Sequence, residues 1–411
     1  MVELVAEHNR RVHVRDVNTT EQLAHAALQA RKKKYDDMLI VDVDSHHTES
    51  RNHDEIFEFI ESPVLKQISQ QGRVMGRRNV MPNGLGYQDT GGRVARYAMR
   101  GEKTPPGIQR DAVIGQRWMD AMGVDYACLF PTSMLNIGMH PETAMEIELC
   151  WAYNRWMTEK LLPDSNGRLY TMLCLPFSDP DACMRQIETF GHRKGVVGFM
   201  VTTVRHNPVH HDSYMKVYRA IEERGLSLSF HSGFNWMEPI FKNCNRFISV
   251  HALGFTFYNI LHLTNWVVNG LNERFPKLPV IWIEAGLAWV PFIMQRLDHE
   301  FMLRSSECPL LKKKPSEYIA DMYYSSQPIE TQNMKAMELT FEMINAEDRL
   351  LYASDYPHWD FDTPSTIYDL PFLTERARHN ILGGTAARLF KLPPRNDKQK
   401  ENLARFGNLA T

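Results

Sequence analysis

Eight short apolar runs, separated for the most part by helix-like segments, are the feature that most limits the possible folds of this chain. Hydrophobic runs of this length, bounded by turn residues, are typical of buried strands. Alternation of such strands with helices predicts a parallel sheet with right-handed crossovers. Eight units favour closure, so we expect an α/β fold, a (β/α)8 TIM-like barrel. The predicted strands are 38–43, 123–131, 169–176, 195–201, 226–230, 278–284, 322–326 and 350–354. The predicted helices of the barrel are 111–122, 141–162, 179–190, 214–224, 255–275, 289–303, 331–344 and 381–390.

The segments outside this repeating pattern define the expected domain organisation. Residues 1–37 are predicted to form an N-terminal helical extension, with a Thr cap at Thr19 and a basic end at 31–34. The barrel is expected over 38–392. A long insertion, rich in Gly, Pro and Arg, is expected at about 64–110, after the first strand. Residues 393–411 are expected to be a polar C-terminal tail.

Composition and missing motifs argue against several classes of protein. The net charge of −2 over 411 residues does not suit a large nucleic-acid interface, and no apolar run reaches the roughly 20 residues of a membrane span. The first residues lack the pattern of a signal peptide. Six cysteines without a C-x-x-C pair indicate reduced thiols, so a cytoplasmic location is expected. No G-x-G-x-x-G follows the first strand, which argues against a dinucleotide-binding fold. No G-x-S-x-G is present, which argues against catalysis by a serine nucleophile.

Metal-ligand residue types stand at the ends of three predicted strands that are far apart in sequence. Asp44, His46 and Glu49 follow the first strand, His231 ends the fifth, and Asp355 follows the last. Strand C-termini of a parallel barrel converge on one face, which holds the active site. Residues i and i+2 of an extended segment share a side, so Asp44 and His46 can face one ion. Carboxylates with imidazoles suit Zn, Fe or Mn, and we expect one or two divalent ions.

Further residues are candidates for proton transfer, ligand support or substrate binding. His251 precedes the predicted helix at 255–275, where it is a candidate ligand or general acid/base. Asp355 is a candidate both for binding metal and for accepting a proton. His358 is placed to hydrogen-bond a ligand carboxylate, and Glu284 ends its strand either near the ligands or in a buried ion pair. Arg205, or an arginine of the insertion, is a candidate clamp for a substrate carboxylate.

Six motifs lie along the chain: Asp42-x-Asp44-x-His46-x-x-Glu49, Phe230-His231, 283–291 with 296–298, 315–318, 354–358 and 384–390. Together they resemble the amidohydrolase-related family of the metal-dependent hydrolase superfamily, which includes aminocarboxymuconate-semialdehyde and resorcylate decarboxylases. The resemblance covers about 40–390. It implies a (β/α)8 barrel with metal at the strand ends, with His46, His231 and Asp355 aligned to metal ligands and His251 to the catalytic histidine.

One departure from the family pattern keeps a second function open. Many members begin with His-x-His, whereas this chain has Asp44 at the first position. A ligand set with more oxygen atoms favours Fe or Mn over Zn, and a site for a pair of ions becomes an option. A smaller branch of the family with this signature resembles dinuclear non-haem hydroxylases, which activate dioxygen.

Three functional hypotheses follow. The first is a metal-dependent lyase or hydrolase that decarboxylates or hydrolyses a small carboxylate-bearing substrate, with aromatic acids included. The second is a dinuclear Fe/Mn oxygenase component that works with electron-transfer partners. The third is a non-catalytic partner subunit. We expect no nucleic-acid or membrane partner, and a homo- or hetero-oligomer. The oxygenase would use Asp44, His46, Glu49, His231, His251 and Asp355, with His47 as a further candidate for a second ion.

Overall fold

Eight parallel strands in sequence order form the centre of the molecule. The computed structural model describes residues 19–74, 104–202, 207–233 and 238–406. The backbone amide of Val43 donates to the Tyr352 carbonyl at 2.9 Å, so the segment after the last strand bonds to the first and nearly closes the barrel. The predicted (β/α)8 barrel is thereby confirmed. The strands are β1 Val41–His47, β2 Tyr126–Pro131, β3 Leu169–Cys174, β4 Val196–Val201, β5 Ser227–His231, β6 Val280–Ile283, β7 Tyr323–Ser325 and β8 Leu350–Leu351.

Helices surround these strands, and their apolar sides cover the barrel. Every residue of β1, β2, β4 and β5 is buried, and β2 and β4 accordingly appear in the sequence as apolar runs rather than as alternating patterns. The helices are Thr19–Lys33, His53–Phe57, Pro63–Val74, Arg110–Met122, Thr143–Trp156, Pro180–Phe190, Met215–Glu223, Phe247–Val268, Leu271–Arg274, Trp289–Arg304, Pro315–Ala320, Met334–Met343, Ala346–Arg349, Ser365–Tyr368, Glu375–His379, Thr385–Phe390 and Asp397–Phe406.

The first strand differs from its predicted bounds in a way that matters for the site. The prediction ends it at residue 43, with Asp44 and His46 beyond it, but β1 runs to His47 and contains both. Its register against β2 shifts after Asp42, because two residues of β1 are accommodated opposite one of β2. Such a bulge re-aims side chains. The amide of Asp355 donates to the Asp44 carbonyl at 2.8 Å. This end of β1 is therefore bonded to the segment after β8 as well as to β2.

The first and last described helices cover the side of the barrel where the strands begin. The helix Thr19–Lys33 buries Leu23 and Ala26 and packs beside Arg110–Met122. The helix Asp397–Phe406 contains Gln399, whose side-chain Nε2 donates to the Met38 carbonyl at 3.1 Å. The insertion expected at 64–110 starts within the helix Pro63–Val74, and its residues 75–103 lie outside the described residues. Among the helices described, none is both long and apolar enough to cross a bilayer.

Gly383 is expected to be essential for stability because it lies against the chain that enters β1. A Cβ at Gly383 would lie 2.0 Å from the Leu39 carbonyl oxygen, a backbone atom that cannot rotate away. We expect Gly383→Ala to lower the free energy of unfolding by about 1–3 kcal/mol, the usual cost of overpacking. Gly115→Ala is the matched control, since its Cβ would meet only the flexible Leu169 side chain, at 3.1 Å. Urea denaturation measures both; equal stability of the two variants would contradict this packing.

Candidate metal centre and active site

Four strands bring a cluster of imidazoles and carboxylates to the carboxyl-terminal face of the barrel. β1 supplies Asp44 and His46, β5 ends at His231, Glu284 follows β6, and Asp355 follows β8. Each of these side chains is almost completely buried. Burial of several ionisable groups together is unfavourable unless they are paired or bind a metal. The cluster is therefore a candidate metal centre.

The donor atoms of this cluster lie around the Nε2 atom of His46. That nitrogen is 3.2 Å from Asp44 Oδ1, 3.1 Å from His231 Nε2 and 3.3 Å from Asp355 Oδ1. His231 Nε2 is in turn 3.2 Å from Asp44 Oδ1. Neighbouring ligands at right angles around an ion, at ligand distances of about 2.2 Å, lie about 3.1 Å apart. The observed spacings thus match those of ligands that share one ion.

The hydrogen bonds around the cluster also fit a bound cation. His46 Nδ1 is 3.0 Å from the Pro131 carbonyl, which can only accept, so Nδ1 carries the proton and Nε2 offers its lone pair. A second-sphere bond of this kind is usual for metal-binding histidines. Asp44 Oδ2 is buried and accepts no hydrogen bond from the described residues. Two imidazoles with carboxylates form a donor set suited to a divalent ion such as Mn, Fe or Zn.

Two neighbouring aspartates of β1 have opposite electrostatic environments. Burial acts to raise the pKa of Asp44, but the electrostatic contacts of its carboxylate with His231 and His46 outweigh burial and hold that pKa below its ordinary value. For Asp42, burial dominates and raises the pKa to about 8. Asp42 Oδ1 accepts from the backbone amides of Ser354 at 2.9 Å and Asp44 at 3.1 Å. Asp42 therefore ties β1 to the loop carrying Asp355, a role that residue types alone did not indicate.

Glu284 and Asp355 have unusual backbone conformations. Their φ angles are 51° and 58°, in the left-handed region that non-glycine residues rarely adopt. The Ser325 hydroxyl accepts from the Glu284 amide at 3.0 Å. Such conformations cluster at functional sites because the surrounding fold must enforce them. They turn both carboxylates toward the cluster, where Glu284 Oε2 lies 3.7 Å from His231 Nδ1.

His358 lies beside the cluster in the position expected for a partner of a ligand carboxylate. Its Nδ1 is 2.6 Å from Asp355 Oδ1. Its Nε2 is 3.4 Å from the Thr132 hydroxyl. Within the described residues, His46, Asp355 and His358 form a second group of donors that overlaps the first at His46. His358 can therefore orient Asp355 and share a proton with it.

Glu49 is placed next to this site but not in the donor cluster. Its Oε2 accepts from the Thr132 amide at 2.9 Å, and its Oε1 accepts from the Met134 amide at 2.9 Å. Burial raises its pKa, against the opposing charge of His47 and the backbone hydrogen bonds. Both oxygens are thus used to hold the loop after β2. His47 faces away as well, with Nδ1 3.0 Å from Asp111 Oδ2 and Nε2 2.9 Å from the Tyr153 hydroxyl.

The remaining sequence candidates lie at the rim or outside the described residues. His251 lies inside the helix Phe247–Val268 and not before a helix, so the predicted start at 255 is wrong. The first turn of this helix contains weak helix formers such as Ile248, Ser249 and Val250, so helix propensity does not predict it. The structure does not bring His251 into the donor cluster; its Nε2 is 3.7 Å from Asp360 Oδ2. Arg205 lies outside the described residues.

The loop-holding role of Glu49 gives a test of the number of metal ions. We expect Glu49→Gln to keep the metal content of the wild-type protein, because no described donor cluster includes this residue. It should lower the free energy of unfolding by about 1–3 kcal/mol, since an amide nitrogen would replace one buried acceptor facing a backbone amide. Metal analysis and urea denaturation measure the two effects. Loss of metal in Glu49→Gln would instead assign this carboxylate to a second ion.

A comparison with protein families places the chain in a known group of barrels. The family model described as Amidohydrolase matches residues 115–392, more than half of the chain. The chain therefore belongs to the amidohydrolase family and is an enzyme of that family. The matched range contains His231, Glu284, Asp355 and His358, while β1 with Asp44 precedes it.

Curated relatives are similar to this chain over much of its length. Gamma-resorcylate decarboxylase of Rhizobium radiobacter is 24% identical over 295 residues, which cover 67% of this chain and 86% of the relative. The enzyme of the same name from a Polaromonas species is 23% identical over 232 residues, covering 53% of this chain and 69% of the relative. These relatives lend no support to the oxygenase or to the non-catalytic subunit.

Solved structures share the fold at low sequence identity. The 5-carboxyvanillate decarboxylase of Sphingomonas paucimobilis has a TM-score of 0.62 and 20% identity, covering 87% of this chain and 100% of that one. The dihydroxybenzoic acid decarboxylase of a Polaromonas species, solved with manganese and 2-nitroresorcinol, has a TM-score of 0.61 and 16% identity, covering 88% and 99%. At these identities the likeness establishes the barrel, and the site must be argued from its own residues.

Proposed function

We propose that this chain is a divalent-metal-dependent decarboxylase of an aromatic carboxylic acid. The proposal rests chiefly on one observation, a buried group of two imidazoles and two carboxylates. The donor atoms of Asp44, His231 and Asp355 all lie within 3.3 Å of His46 Nε2. The decarboxylase relatives support the choice of reaction within the family. The aromatic preference is supported by Phe130, whose ring lies 5.0 Å from the His231 ring and 6.1 Å from the His46 ring.

In this proposal Asp44, His46, His231 and Asp355 hold the metal. When bound, a divalent ion acts as a Lewis acid on oxygen atoms of the substrate. Glu284 flanks His231 and limits the orientations of its ring. His46 is fixed by its bond to the Pro131 carbonyl, so its ring needs no reorganisation during the reaction. The protein thus supplies a prearranged donor set in a space from which water is largely excluded.

The reaction also needs a proton at the ring carbon that loses carbon dioxide. The carbon–carbon bond breaks, its electron pair stays on the ring carbon, and a proton then forms the new carbon–hydrogen bond. We assign this proton to the pair formed by Asp355 Oδ1 and His358 Nδ1, which are 2.6 Å apart and can share it. His251 lies nearer the surface beside Asp360, with 14% of its side chain exposed, and is suited to exchange protons with solvent.

The proposed reaction is tested by the products formed from a panel of aromatic acids. Metal-loaded protein is incubated under argon with mono- and dihydroxybenzoates, and carbon dioxide and the phenol are quantified. We expect equal amounts of both products, without dioxygen or reductant. Turnover that requires dioxygen would replace the proposal with the oxygenase hypothesis. Hydrolysis of amide or ester analogues, with no carbon dioxide released, would replace it with the hydrolase.

We further propose that the protein acts in the cytoplasm and as an oligomer. All six cysteines are free thiols, and four of them are buried, which suits a reducing compartment. Fractionation with a thiol-labelling reagent tests the location, and light scattering tests the oligomeric state.

A further inference from the structure

The loop after β2 reaches across the mouth of the barrel to the end of β5. A Cβ added at Gly233, two residues after His231, would lie 2.8 Å from Asn136 Oδ1 and 3.2 Å from the Leu135 Cβ. β2 and β5 are not neighbours, because β3 and β4 lie between them. The Gly138 amide donates to the Thr202 hydroxyl, just beyond β4, at 3.3 Å. Asn136 therefore lies over the barrel mouth, on the face that holds the donor cluster.

Two buried polar atoms at this place have no hydrogen-bond partner among the residues that the structure describes. Asn136 is 8% exposed and Ser232 is 1% exposed. Neither Asn136 Oδ1 nor Ser232 Oγ forms a hydrogen bond with the residues that the structure describes. Leaving a buried acceptor unsatisfied costs about 1–3 kcal/mol, so such atoms are usually paired or have a functional reason. Ser232 directly follows the candidate ligand His231 in sequence, and Gly233, which Asn136 approaches, comes next.

Resting on the proposed function, we infer that Asn136 is a specificity-determining residue that accepts a hydrogen bond from a ring hydroxyl of the substrate. The hydroxyl would lie near the carboxylate of the acid, because Ser232 and Gly233 adjoin His231. Ser232, next to Gly233 in sequence, carries the second buried atom that has no hydrogen-bond partner among the described residues, its Oγ. Gly233 leaves the room that Asn136 needs, since any larger residue would contact its amide oxygen. A site built to pair a hydroxyl rejects an analogue that lacks it, because its own polar group stays unsatisfied.

The test measures binding rather than turnover. Calorimetry on the metal-loaded full chain gives the dissociation constants of 2,6-dihydroxybenzoate and of 2-hydroxybenzoate, which differ by one hydroxyl. We expect the wild-type protein to prefer the dihydroxy acid at least about tenfold. Asn136→Leu should reduce this preference to within about twofold, and Asn136→Asp, which keeps an acceptor, should retain part of it. An unchanged preference in Asn136→Leu, or an equal loss of binding for both acids, would overturn the inference.

Controls separate recognition from folding and from the reaction itself. Asn380→Leu alters a buried asparagine at the opposite end of the barrel, near Asp348, and should leave the preference as in the wild type. If Asn136→Leu does not fold, Asn136→Ala takes its place in the same comparison. A preference that depends on Asn136 in a protein that releases no carbon dioxide would keep the recognition site and reject the decarboxylase. Release of carbon dioxide together with a preference that does not depend on Asn136 would keep the decarboxylase and reject the recognition site.

Discussion

Replacing His231 with asparagine should remove the metal and abolish turnover. His231 Nε2 lies 3.1 Å from His46 Nε2 and 3.2 Å from Asp44 Oδ1, so the variant loses a central donor of the cluster. Changes to outer partners of metal ligands cost about 10–100-fold in affinity, and we expect the loss of a ligand to exceed about 100-fold. Metal titration followed by elemental analysis measures the affinity, and carbon dioxide release measures the activity.

His262→Asn is the matched control for this substitution. His262 is a buried histidine on the helix Phe247–Val268, and its ring packs 5.5 Å from the Phe230 ring. Burial lowers its pKa to about 4, so it is neutral at pH 7, and no described donor cluster includes it. The control should lose stability but keep its metal. Normal metal content in His231→Asn would show that the ion is held elsewhere.

Removal of the metal should inactivate the protein without unfolding it. The barrel is held by the ladder between strands and by its apolar core, neither of which includes the ion. We therefore expect chelation to lower the rate by more than about 1000-fold, equivalent to about 4 kcal/mol of barrier. Far-ultraviolet circular dichroism should be preserved. The melting temperature should fall, because a ligand at 100 times its dissociation constant stabilises by about 2.7 kcal/mol.

Restoring the ion completes this experiment. Addition of Mn²⁺ to the chelated protein should return both the activity and the melting temperature. Glu49→Gln, whose position is outside the cluster, should respond to chelation and to Mn²⁺ in the same way as the wild type. Full activity after exhaustive dialysis against chelator would contradict a metal-dependent reaction.

The barrel could be predicted because its strands are buried on both faces and its helices are amphipathic. Buried parallel strands such as Val196–Val201 appear as continuous apolar runs, and eight such runs leave few topologies. The positions of His231 and Asp355 at strand ends follow from the same pattern. Both lie beside His46 in the structure, His231 in the donor group that also contains Asp44 and Asp355 in the group that also contains His358, as the parallel arrangement predicts.

Details of the site depended on backbone geometry that residue types do not encode. The bulge after Asp42 extends β1 through Asp44 and His46, where polar residues had indicated the end of the strand. Glu49 is spaced suitably for a ligand, but its oxygens meet the amides of Thr132 and Met134, contacts between loops distant in sequence. The helix around His251 begins in weak helix formers and is stabilised by tertiary packing. Spacing alone could not distinguish these outcomes.

The position of the ion is the most direct test of the proposed metal centre. Crystals of the manganese-loaded protein would be measured at the manganese absorption edge, where anomalous differences locate the ion. We expect one strong peak per chain, enclosed by Asp44, His46, His231 and Asp355. A peak at Glu49 or His47, or no peak within this cluster, would contradict the assignment.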